Sequence, residues 1–432
     1  MKVAVLGLGI EGISSLQHWQ SAGHDVTICD QNPDLDVPEG VNGQLGPDYL
    51  KGLDSFDVIV RTAGMHPGKI VAANTPEILD KVTSATNEFY RLSPSNNIIG
   101  VTGTKGKGTT STLIYEMLKA AGKTVHLGGN IGISALDLLQ KDIQPDDWVV
   151  LEQSSFQLID QKHSPHIGVC LMVVPEHLDW HEDLEEYIAA KQQLFINQVD
   201  DDIAIYYAEN GDSESIAAAS EGRLVPYMAA PGAEVKNGAI VIGDTEICKT
   251  SDIKLLGEHN QQNVCAAVTT VWQIVQNAAA CKKVISTFAG LEYRLELVRE
   301  LDGVQYYNDS FGTTPETAIV AIKAFEQPKV LILGGSDKGA SYDELAKTVA
   351  SSSVKTVVLI GKTAPAIKAA LIKAGFTNIV DGGLTMAEII KTARSAAEPG
   401  DVVLLSTACA SFDMFKSYKD RGQQFTSAVT AL

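Results

Sequence analysis

The chain alternates short segments rich in valine and isoleucine with segments of helical pattern along most of its length. KVAVLGLG and HDVTICD show this near the N-terminus, and IIGVTGT and KVLILGG show it again further along. Segments that are apolar throughout and bounded by turn residues are typical of parallel strands covered on both faces of their sheet. The sequence therefore predicts an α/β fold of doubly wound, mainly parallel sheets with flanking helices.

Two breaks in this pattern predict domain boundaries. One is the segment rich in proline, serine and asparagine at 91–97, and the other lies at 299–303. A length of 432 residues suits roughly two to four domains of about 100–200 residues each. Short alternating segments at 204–250 predict small antiparallel hairpins. We therefore expect three α/β domains in series, at residues 1–93, 94–298 and 299–432.

Charge and composition exclude several classes of function. The formal net charge is −19, and no block of lysine or arginine stands out, so neither nucleic acid nor an acidic membrane is an expected partner. The six cysteines are scattered without a CxxC pair, which argues against a disulfide framework or a zinc site. The chain has no apolar run of about 18 residues and no cleavage-type leader. The sequence predicts a cytoplasmic protein.

The first glycine-rich segment, GLGIEG at Gly7–Gly12, follows a predicted strand and opens a predicted helix, and Asp30 ends the next predicted strand. Glycines in such a turn let the backbone approach a diphosphate at the helix N-terminus, while the acidic residue binds a ribose hydroxyl. The motif indicates a ligand with a diphosphate and a ribose, which a nicotinamide or flavin dinucleotide and a UDP group both offer. A tight turn without a ligand is the alternative.

The second glycine-rich segment, Gly103–Thr110, also lies between a predicted strand and a predicted helix. Its N–H groups would surround phosphates, and Lys107 would reach the β- and γ-phosphate oxygens. Gly108 stands where the common form of this loop has a serine or threonine that ligates magnesium. Thr109 or Thr110 would replace that hydroxyl if the helix start shifts by a residue. The segment predicts a central, P-loop ATPase-like domain that binds a nucleoside triphosphate.

Further segments, together with the two loops, resemble the Mur ligases, the ATP-dependent amide ligases of peptidoglycan precursor synthesis. These segments are WVVLEQSSFQL, PEHLDWH, AAKQQLF and GEHNQQN. Four segments of the last third look most like the D-glutamate-adding members: LEYRLE, YNDSFGTTPETA, LGGSDKG and LLSTACASFDMFKSYKDRG. The resemblance covers nearly the whole chain. It implies three domains that bind UDP-sugar, ATP and amino acid in that order.

The resemblance also implies which residues bind each nucleotide. For the UDP-sugar these are Gly9, Ile10, Glu11, Gly12, Asp30, Thr62, Gly64, the asparagine beside Gly129 (Asn130) and Ser154. For ATP they are Gly103, Thr104, Lys105, Gly106, Lys107, Gly108, Thr109, Thr110, Asn260, Asn263, Arg294, Asn308 and Asp309. Gln31 and Asn32 are expected to alter the contacts with uracil.

By the same resemblance, Lys107, His177 and Lys191 are catalytic. Two Mg²⁺ ions are expected, with ligands from Thr109, Glu152, His177 and Lys191. The lysine of this family at the place of Lys191 is carbamylated by CO₂, which turns a cation into a carboxylate-like ligand. From the sequence alone Lys191 is an ordinary helix lysine, so its assignment depends on the resemblance.

For the amino acid, the resemblance implies binding by Thr313, Lys338, Ser411 and Tyr418, the last in a place where phenylalanine is usual. The chain departs from the D-glutamate-adding pattern at two positions. Phe311 stands where a lysine is common, and Gly108 lacks the hydroxyl. Lys105, where asparagine is usual, would restore positive charge near the phosphates.

The implied reaction joins UDP-N-acetylmuramoyl-L-alanine to D-glutamate through an acyl phosphate, in a monomeric enzyme. The alternatives are a ligase that adds L-glutamate or another acidic amino acid, or one that acts on a folate-type acceptor. A nicotinamide dehydrogenase built on Gly7–Gly12 would leave the Lys107 loop unexplained. A catalytically silent homologue, favoured by Gly108 and Phe311, would bind UDP-sugar without releasing phosphate.

Overall fold

The computed structural model describes residues 1–255, 257, 259–337 and 339–432. The chain forms two compact units. The first consists of Met1–Ile253 with Glu258–Thr287, and the second of Lys254–Gly257 with Phe288–Leu432.

The first unit begins with a five-stranded parallel sheet in the order β3-β2-β1-β4-β5. Its strands are β1 (Lys2–Leu6), β2 (Asp25–Asp30), β3 (Asn42–Leu45), β4 (Val58–Arg61) and β5 (Val82–Ser84). The helices are α1 (Ile10–Ser21), α2 (Pro67–Ala73) and α3 (Ala85–Leu92), with 3₁₀ turns at Leu53–Ser55 and Pro76–Lys81. Residues Val3 to Leu6 of β1 are fully buried, because both faces of this strand are covered.

A six-stranded parallel sheet follows in the same unit, in the order β11-β10-β9-β6-β8-β7. Its strands are β6 (Ile98–Thr102), β7 (Val125–Gly129), β8 (Trp148–Glu152), β9 (Ile167–Cys170), β10 (Ile203–Tyr207) and β11 (Arg223–Tyr227). A small antiparallel sheet contains β12 (Ala233–Lys236), β13 (Ala239–Ile242) and β14 (Thr245–Lys249), where hairpins were expected.

Helices pack around the six-stranded sheet. They are α4 (Lys107–Ala120), α5 (Ala135–Leu138), α6 (Ser155–Leu158), α7 (Leu184–Gln192), α8 (Gly211–Ala217), α9 (His259–Trp272) and α10 (Ala278–Thr287), with 3₁₀ turns at Leu139–Lys141 and Thr250–Asp252. Helix α9 is buried along most of its length. No helix in the described part of the chain has the length and apolar character that crossing a bilayer requires.

The second unit has one six-stranded sheet in the order β15-β16-β20-β17-β18-β19. Its strands are β15 (Glu296–Leu301), β16 (Val304–Asn308), β17 (Lys329–Gly334), β18 (Val354–Ile360), β19 (Ile379–Asp381) and β20 (Val402–Leu405). Only β15 is antiparallel to its neighbour. The helices are α11 (Pro315–Lys323), α12 (Asp343–Ser351), α13 (Ala364–Lys373), α14 (Met386–Ala396) and α15 (Tyr418–Thr430).

These sheets confirm the predicted α/β class with mainly parallel sheets and flanking helices. The division into three domains stays a prediction: residues 93 and 94 lie within the first unit, and β15 begins before residue 298.

Strand register brings the predicted binding loops to common edges. Leu6 at the end of β1 lies opposite Cys29 of β2 and Arg61 of β4, so the segments that follow all three strands leave the sheet together. In the six-stranded sheet, Val101 of β6 lies opposite Glu152 and Val169. Ligands of open α/β sheets bind at such carboxyl edges, where neighbouring connections diverge to opposite sides.

The turn between β1 and α1 offers a test of its packing. A Cβ atom on Gly12 would lie 2.0 Å from the carbonyl oxygen of Gly7, whereas one on Gly9 would meet no atom within 4 Å. We expect Gly12→Ala to lower the free energy of unfolding of the first unit by about 1–3 kcal/mol, because the backbone must move apart. Gly9→Ala is the matched control and should stay within about 0.5 kcal/mol of the wild type. Urea unfolding measures both, and equal midpoints would contradict this packing.

Candidate functional site

The glycine loop after β6 is held in a narrow space. Gly103 and Gly106 have φ values of +140° and +88°, which favour glycine. A Cβ on Gly106 would lie 2.2 Å from Oδ1 of Asn263 on α9, and one on Gly103 would lie 2.7 Å from Cβ of Leu171. The loop therefore needs glycine at both positions, both for its conformation and for the close approach of its neighbours.

Helix α4 begins at Lys107, directly after this loop, and its N-cap residue Gly106 provides no side-chain cap. Backbone N–H groups at such a helix start are suited to bind an anion. The Lys107 amino group donates hydrogen bonds to the carbonyl oxygens of Gly103, at 2.9 Å, and Thr104, at 3.0 Å. The loop thus combines a helix N-terminus with a cation, the chemistry of a phosphate site.

The two threonines after Lys107 differ in their surroundings. Thr110 is fully buried, and its hydroxyl donates to Oδ1 of Asn263 at 3.4 Å. Thr109 is half-buried, and Gly108 is buried. Thr109 is therefore the better placed of the two hydroxyls to meet a ligand of this loop.

Lys191 on α7 brings a second amino group to the same loop. Its Nζ donates to the carbonyl oxygen of Gly103 at 3.1 Å and lies 4.5 Å from the centre of the Tyr187 ring. Only 1% of Lys191 is exposed. This burial, and then the positive charge of Lys107, lower the pKa of Lys191 to about 7. A large fraction of this amine is therefore uncharged and nucleophilic near neutral pH.

Glu152 ends β8 and His177 follows β9, the two strands that flank β6 in the six-stranded sheet. Glu152 is buried at the end of β8 and accepts a hydrogen bond from the Asn130 side chain at 2.8 Å. His177 lies on the loop after β9 with a φ of +60°, and burial lowers its pKa, although Glu176 opposes this. Lys105 of the glycine loop forms an ion pair with Glu176. The loop that carries His177 is thus tied to the glycine loop.

Among the residues that the structure describes, no three His, Cys, Asp or Glu side chains come together as a metal site. Mg²⁺ in nucleotide enzymes usually takes one or two protein carboxylates and completes its shell with phosphate oxygens and water. One buried carboxylate, one imidazole and the Thr109 hydroxyl are a donor set of this kind. The residues present therefore fit Mg²⁺ held largely by substrate phosphates.

Most of the predicted UDP-sugar residues lie at the carboxyl edge of the first sheet, where several form hydrogen bonds with neighbouring segments. Glu11 accepts from the backbone N–H of Ala63 at 2.8 Å and from the Gln157 side chain at 2.6 Å. The Thr62 hydroxyl donates to the carbonyl oxygen of Leu6 at 2.6 Å. Asp30 accepts from the N–H groups of Leu8, at 3.4 Å, and Asn32, at 2.9 Å. These hydrogen bonds hold the segments that follow β1, β2 and β4 in place.

Two other residues predicted for the UDP-sugar, Ile10 and Gly64, lie at this edge, and Ser154 follows β8 of the six-stranded sheet. The carbonyl oxygen of Gly64 accepts from the Trp180 indole at 3.3 Å. Ser154 caps α6 by accepting from the backbone N–H of Gln157. Ile10, in contrast, is 75% exposed at the start of α1. A side chain of this size with so little packing is free to contact a ligand.

In the second unit, Asn308 ends β16 and Asp309 follows it. The Asn308 amide donates to the carbonyl oxygen of Gly422 at 2.9 Å, so it supports the fold from within. Asp309 accepts from the Ser406 hydroxyl at 2.7 Å, and burial raises its pKa to about 7. The Arg294 guanidinium lies 3.7 Å from the centre of the Phe311 ring. The positive charge of Arg294 therefore lies over one face of Phe311, the residue that stands where a lysine is common.

The three described residues predicted for the amino acid lie in different segments of this unit: Thr313 precedes α11, Ser411 follows β20, and Tyr418 opens α15. The Tyr418 ring meets Phe311 edge-on at 5.1 Å between centroids. Ser411 is buried, and Thr313 is half-buried just before α11. Lys338 lies outside the described residues. The structure therefore places Tyr418 beside Phe311 and adds no contact between Thr313 and Ser411.

The whole chain is similar to known ligases. A family model described as the Mur ligase middle domain matches residues 101–271, and one described as the Mur ligase, glutamate ligase domain matches residues 293–409. The UDP-N-acetylmuramoylalanine–D-glutamate ligase of Acetivibrio thermocellus is 38% identical over 100% of this chain and 96% of its own length. The enzyme of the same name from Symbiobacterium thermophilum is 37% identical, with coverages of 100% and 98%.

The chain belongs to the Mur ligase family. Solved structures of other ligases have a similar fold. The UDP-N-acetylmuramate-alanine ligase of Thermotoga maritima has a TM-score of 0.61 at 16% identity, covering 100% of this chain and 99% of that one. The MurF ligase of Thermotoga maritima in complex with ADP has a TM-score of 0.59 at 16% identity, with coverages of 99% and 95%.

Several residues that organise the site of this Mur ligase were missed in the sequence. The Tyr187 hydroxyl lies 2.8 Å from the Thr104 hydroxyl, while its ring supports Lys191. The spacing of Tyr187 and Lys191, four residues apart on a helix, was a usable signal. Arg61 is fully buried and forms two hydrogen bonds with Asp160, and no sequence pattern pointed to that distant partner.

Arg421 is the corresponding missed residue of the second unit. It is fully buried, and its guanidinium donates to the Ser310 hydroxyl at 2.9 Å and to the carbonyl oxygen of Cys409 at 3.0 Å. Burial lowers its pKa to about 10. In this Mur ligase Arg421 therefore joins two segments with different predicted roles. The segment around Ser310 was assigned to the nucleotide, and the segment around Cys409 to the amino acid.

Proposed function

We propose that this Mur ligase joins the carboxylate of UDP-N-acetylmuramoyl-L-alanine to the amine of D-glutamate, with conversion of ATP to ADP and phosphate, in peptidoglycan synthesis. The observation that carries the proposal is the meeting of Lys107 and Lys191 at the carbonyl oxygen of Gly103, beside the start of α4. Similarity along the whole chain to ligases named for D-glutamate supports the choice of substrates. The enzyme would act as a monomer in the cytoplasm.

The chemistry explains why ATP is needed. A carboxylate and an amine do not condense at neutral pH, because the leaving group would be oxide. Transfer of the γ-phosphoryl group to the carboxylate gives an acyl phosphate and ADP. The amine of glutamate then attacks the acyl carbon, a tetrahedral intermediate forms, and phosphate leaves as the amide bond is completed. Positioning and neutralisation of charge supply most of the catalysis in such a sequence.

Several loops of the first unit would take part in this reaction. Backbone N–H groups of the glycine loop and the Lys107 amino group would bind the phosphates of ATP. Asn263, whose side chain abuts Gly106, would keep the loop in its binding shape. Glu152, His177 and Thr109 would hold Mg²⁺, which neutralises phosphate charge when bound. The loops at Gly9–Gly12 and Thr62–Gly64 would bind the UDP group.

Carbamylation of Lys191 follows from its surroundings in this proposal. CO₂ reacts with an uncharged amine, and burial with the neighbouring Lys107 brings the pKa of Lys191 to about 7. The carbamate carries a negative charge, which would draw the Lys107 ammonium and a second Mg²⁺. A lysine on the surface would lack both the lowered pKa and the positive neighbour.

In the second unit, Thr313, Ser411, Tyr418 and Lys338 would bind the two carboxylates of D-glutamate. Phe311 replaces a lysine of the D-glutamate-adding pattern, yet it carries the Arg294 guanidinium on its ring. This stacking keeps a cation at that position, and cation–aromatic contacts of this kind contribute about 0.5–2 kcal/mol. The departure is therefore compatible with activity.

Phosphate release tests the proposal. The protein is incubated with ATP, Mg²⁺ and UDP-N-acetylmuramoyl-L-alanine, and D-glutamate, L-glutamate or no amino acid is added. We expect release only with D-glutamate. Release with L-glutamate alone would change the assigned amino-acid substrate from D-glutamate to L-glutamate. Absence of release despite binding of the UDP-sugar would instead support a silent homologue, and tight binding of NADH would support a dehydrogenase.

A further inference from the structure

A partly buried chain of hydrogen bonds connects the loop after β4 with α6 and α7. Glu186 of α7 lies at its centre. His66 Nε2 is 3.2 Å from both carboxylate oxygens of Glu186, and His181 Nδ1 is 3.1 Å from its Oε2. The chain continues from His181 Nε2 to the hydroxyl of Ser155, at 3.0 Å. The side chain of His181 is completely shielded from solvent.

The hydrogen-bond partners determine where the protons lie. The backbone N–H of Gly68 donates to His66 Nδ1 at 3.0 Å, so that nitrogen is unprotonated and Nε2 carries the proton given to Glu186. Burial lowers the pKa of His181 and keeps this ring neutral, with its proton on Nδ1 facing the carboxylate. Nε2 then accepts from Ser155. Both rings, and the backbone N–H of Glu182, donate to Glu186.

The three segments joined by Glu186 are those that the proposed function uses. His66 caps α2 and follows the loop Thr62–Gly64, assigned to the UDP-sugar. Ser155 opens α6, next to Ser154 and close in sequence to Glu152. Glu186 itself shares α7 with Lys191. Trp180 reinforces the junction, since its ring lies 4.6 Å from that of His66 and its indole donates to Gly64.

We propose that Glu186 is a positioning residue for the UDP-sugar acceptor. Its carboxylate holds the loop at residues 62–66 against α6 and α7, and so sets the place of the acceptor relative to the ATP loop. Glu186 acts through His66 and His181 and would not touch the substrate. The inference rests on the proposed function. A misplacement of about 1 Å in such a site costs on the order of 100-fold in rate, so a positioning residue can have a large effect without touching the substrate.

Glu186→Gln tests this role, since the amide keeps the shape but presents an N–H group where the histidines need an acceptor. We expect binding of UDP-N-acetylmuramoyl-L-alanine, measured by calorimetry, to weaken about tenfold, and the KM for this substrate to rise equally. The KM for ATP should change less than about twofold. Glu185→Gln is the matched control, because it removes the same charge from an exposed neighbour on the same helix.

A second variant guards against a fold defect. His66→Asn keeps a side-chain oxygen that can cap α2, but it is too short to reach Glu186. It should weaken binding of the acceptor, and the double variant Glu186→Gln/His66→Asn should bind it no more weakly than Glu186→Gln alone, because Glu186→Gln already disrupts the contact with His66. Unchanged acceptor affinity in folded Glu186→Gln would overturn the inference. Failure of the wild type to bind the UDP-sugar would instead overturn the proposed function.

Discussion

Lys107→Ala is expected to lower phosphate release on the order of 1000-fold. The Lys107 amino group lies at the start of α4 and donates to the carbonyl oxygens of Gly103 and Thr104. No alanine side chain replaces that positive charge when negative charge accumulates on the transferred phosphoryl group. Phosphate release with saturating acceptor and D-glutamate measures the loss.

Lys119→Ala is the matched control for this substitution. Lys119 lies in the last turn of the same helix, with its amino group over the Tyr115 ring, far along α4 from the glycine loop. Lys119→Ala removes the same charge from the same helix but leaves the glycine loop intact, so activity should stay near that of the wild type. Lys107→Ala should in addition raise the pKa of Lys191, because Lys107 is one of the two main causes of its lowering. Near-normal turnover of Lys107→Ala would exclude the proposed ATP site.

Lys191→Arg is expected to lower phosphate release by at least about 100-fold. Removing a residue that only hydrogen-bonds to a metal ligand already lowers activity about 10–100-fold, and Lys191 is proposed as a ligand itself. Arginine is also a long basic side chain but cannot form a carbamate of this kind. In buffer with ¹³C-bicarbonate, the wild type should show a carbamate carbon signal by NMR that Lys191→Arg lacks. The signal should grow as the pH rises through about 7, because the uncharged amine that reacts with CO₂ predominates above the pKa.

Lys329 provides an internal comparison for this experiment. It is also fully buried, yet its ammonium donates to the carbonyl oxygens of Phe325 and Gln327 and to the Ser353 hydroxyl. Burial lowers the pKa of Lys329 as well, but its three acceptors favour the charged form, so this lysine should not contribute a carbamate signal. Persistence of the full signal in Lys191→Arg would show that another lysine is modified and would remove Lys191 from the proposed site.

The strands were the most predictable part of the fold. β1, β2, β6 and β17 lie where uninterrupted apolar segments predicted them, because such segments lose water contact only when both faces of a sheet are covered. β3 was not predicted. Its residues are NGQL, it lies at the edge of the first sheet and none of its residues is fully buried, so hydrophobic patterning carries no signal there.

The candidate site also has features that the sequence predicted and features that it did not. The loop at Gly103–Thr110 was predicted, since a conformation with positive φ and close neighbours requires glycine in the sequence itself. The meeting of Lys107 and Lys191 at one carbonyl oxygen was not predictable from local pattern, because these residues lie far apart in the chain and come together through the order β9-β6-β8. The Glu186 junction joins residues that are about 120 positions apart for the same reason.

What the sequence determined by itself was therefore the class of fold, the two glycine loops and, by resemblance, the family. Each of these depends on residue types within a short window, where backbone conformation and burial act directly. Only the tertiary structure decided the ionisation of Lys191, the tautomer of His66 and the partner of Arg61. Those properties depend on which groups surround a side chain and on how far water is excluded, and the packing of distant segments sets both.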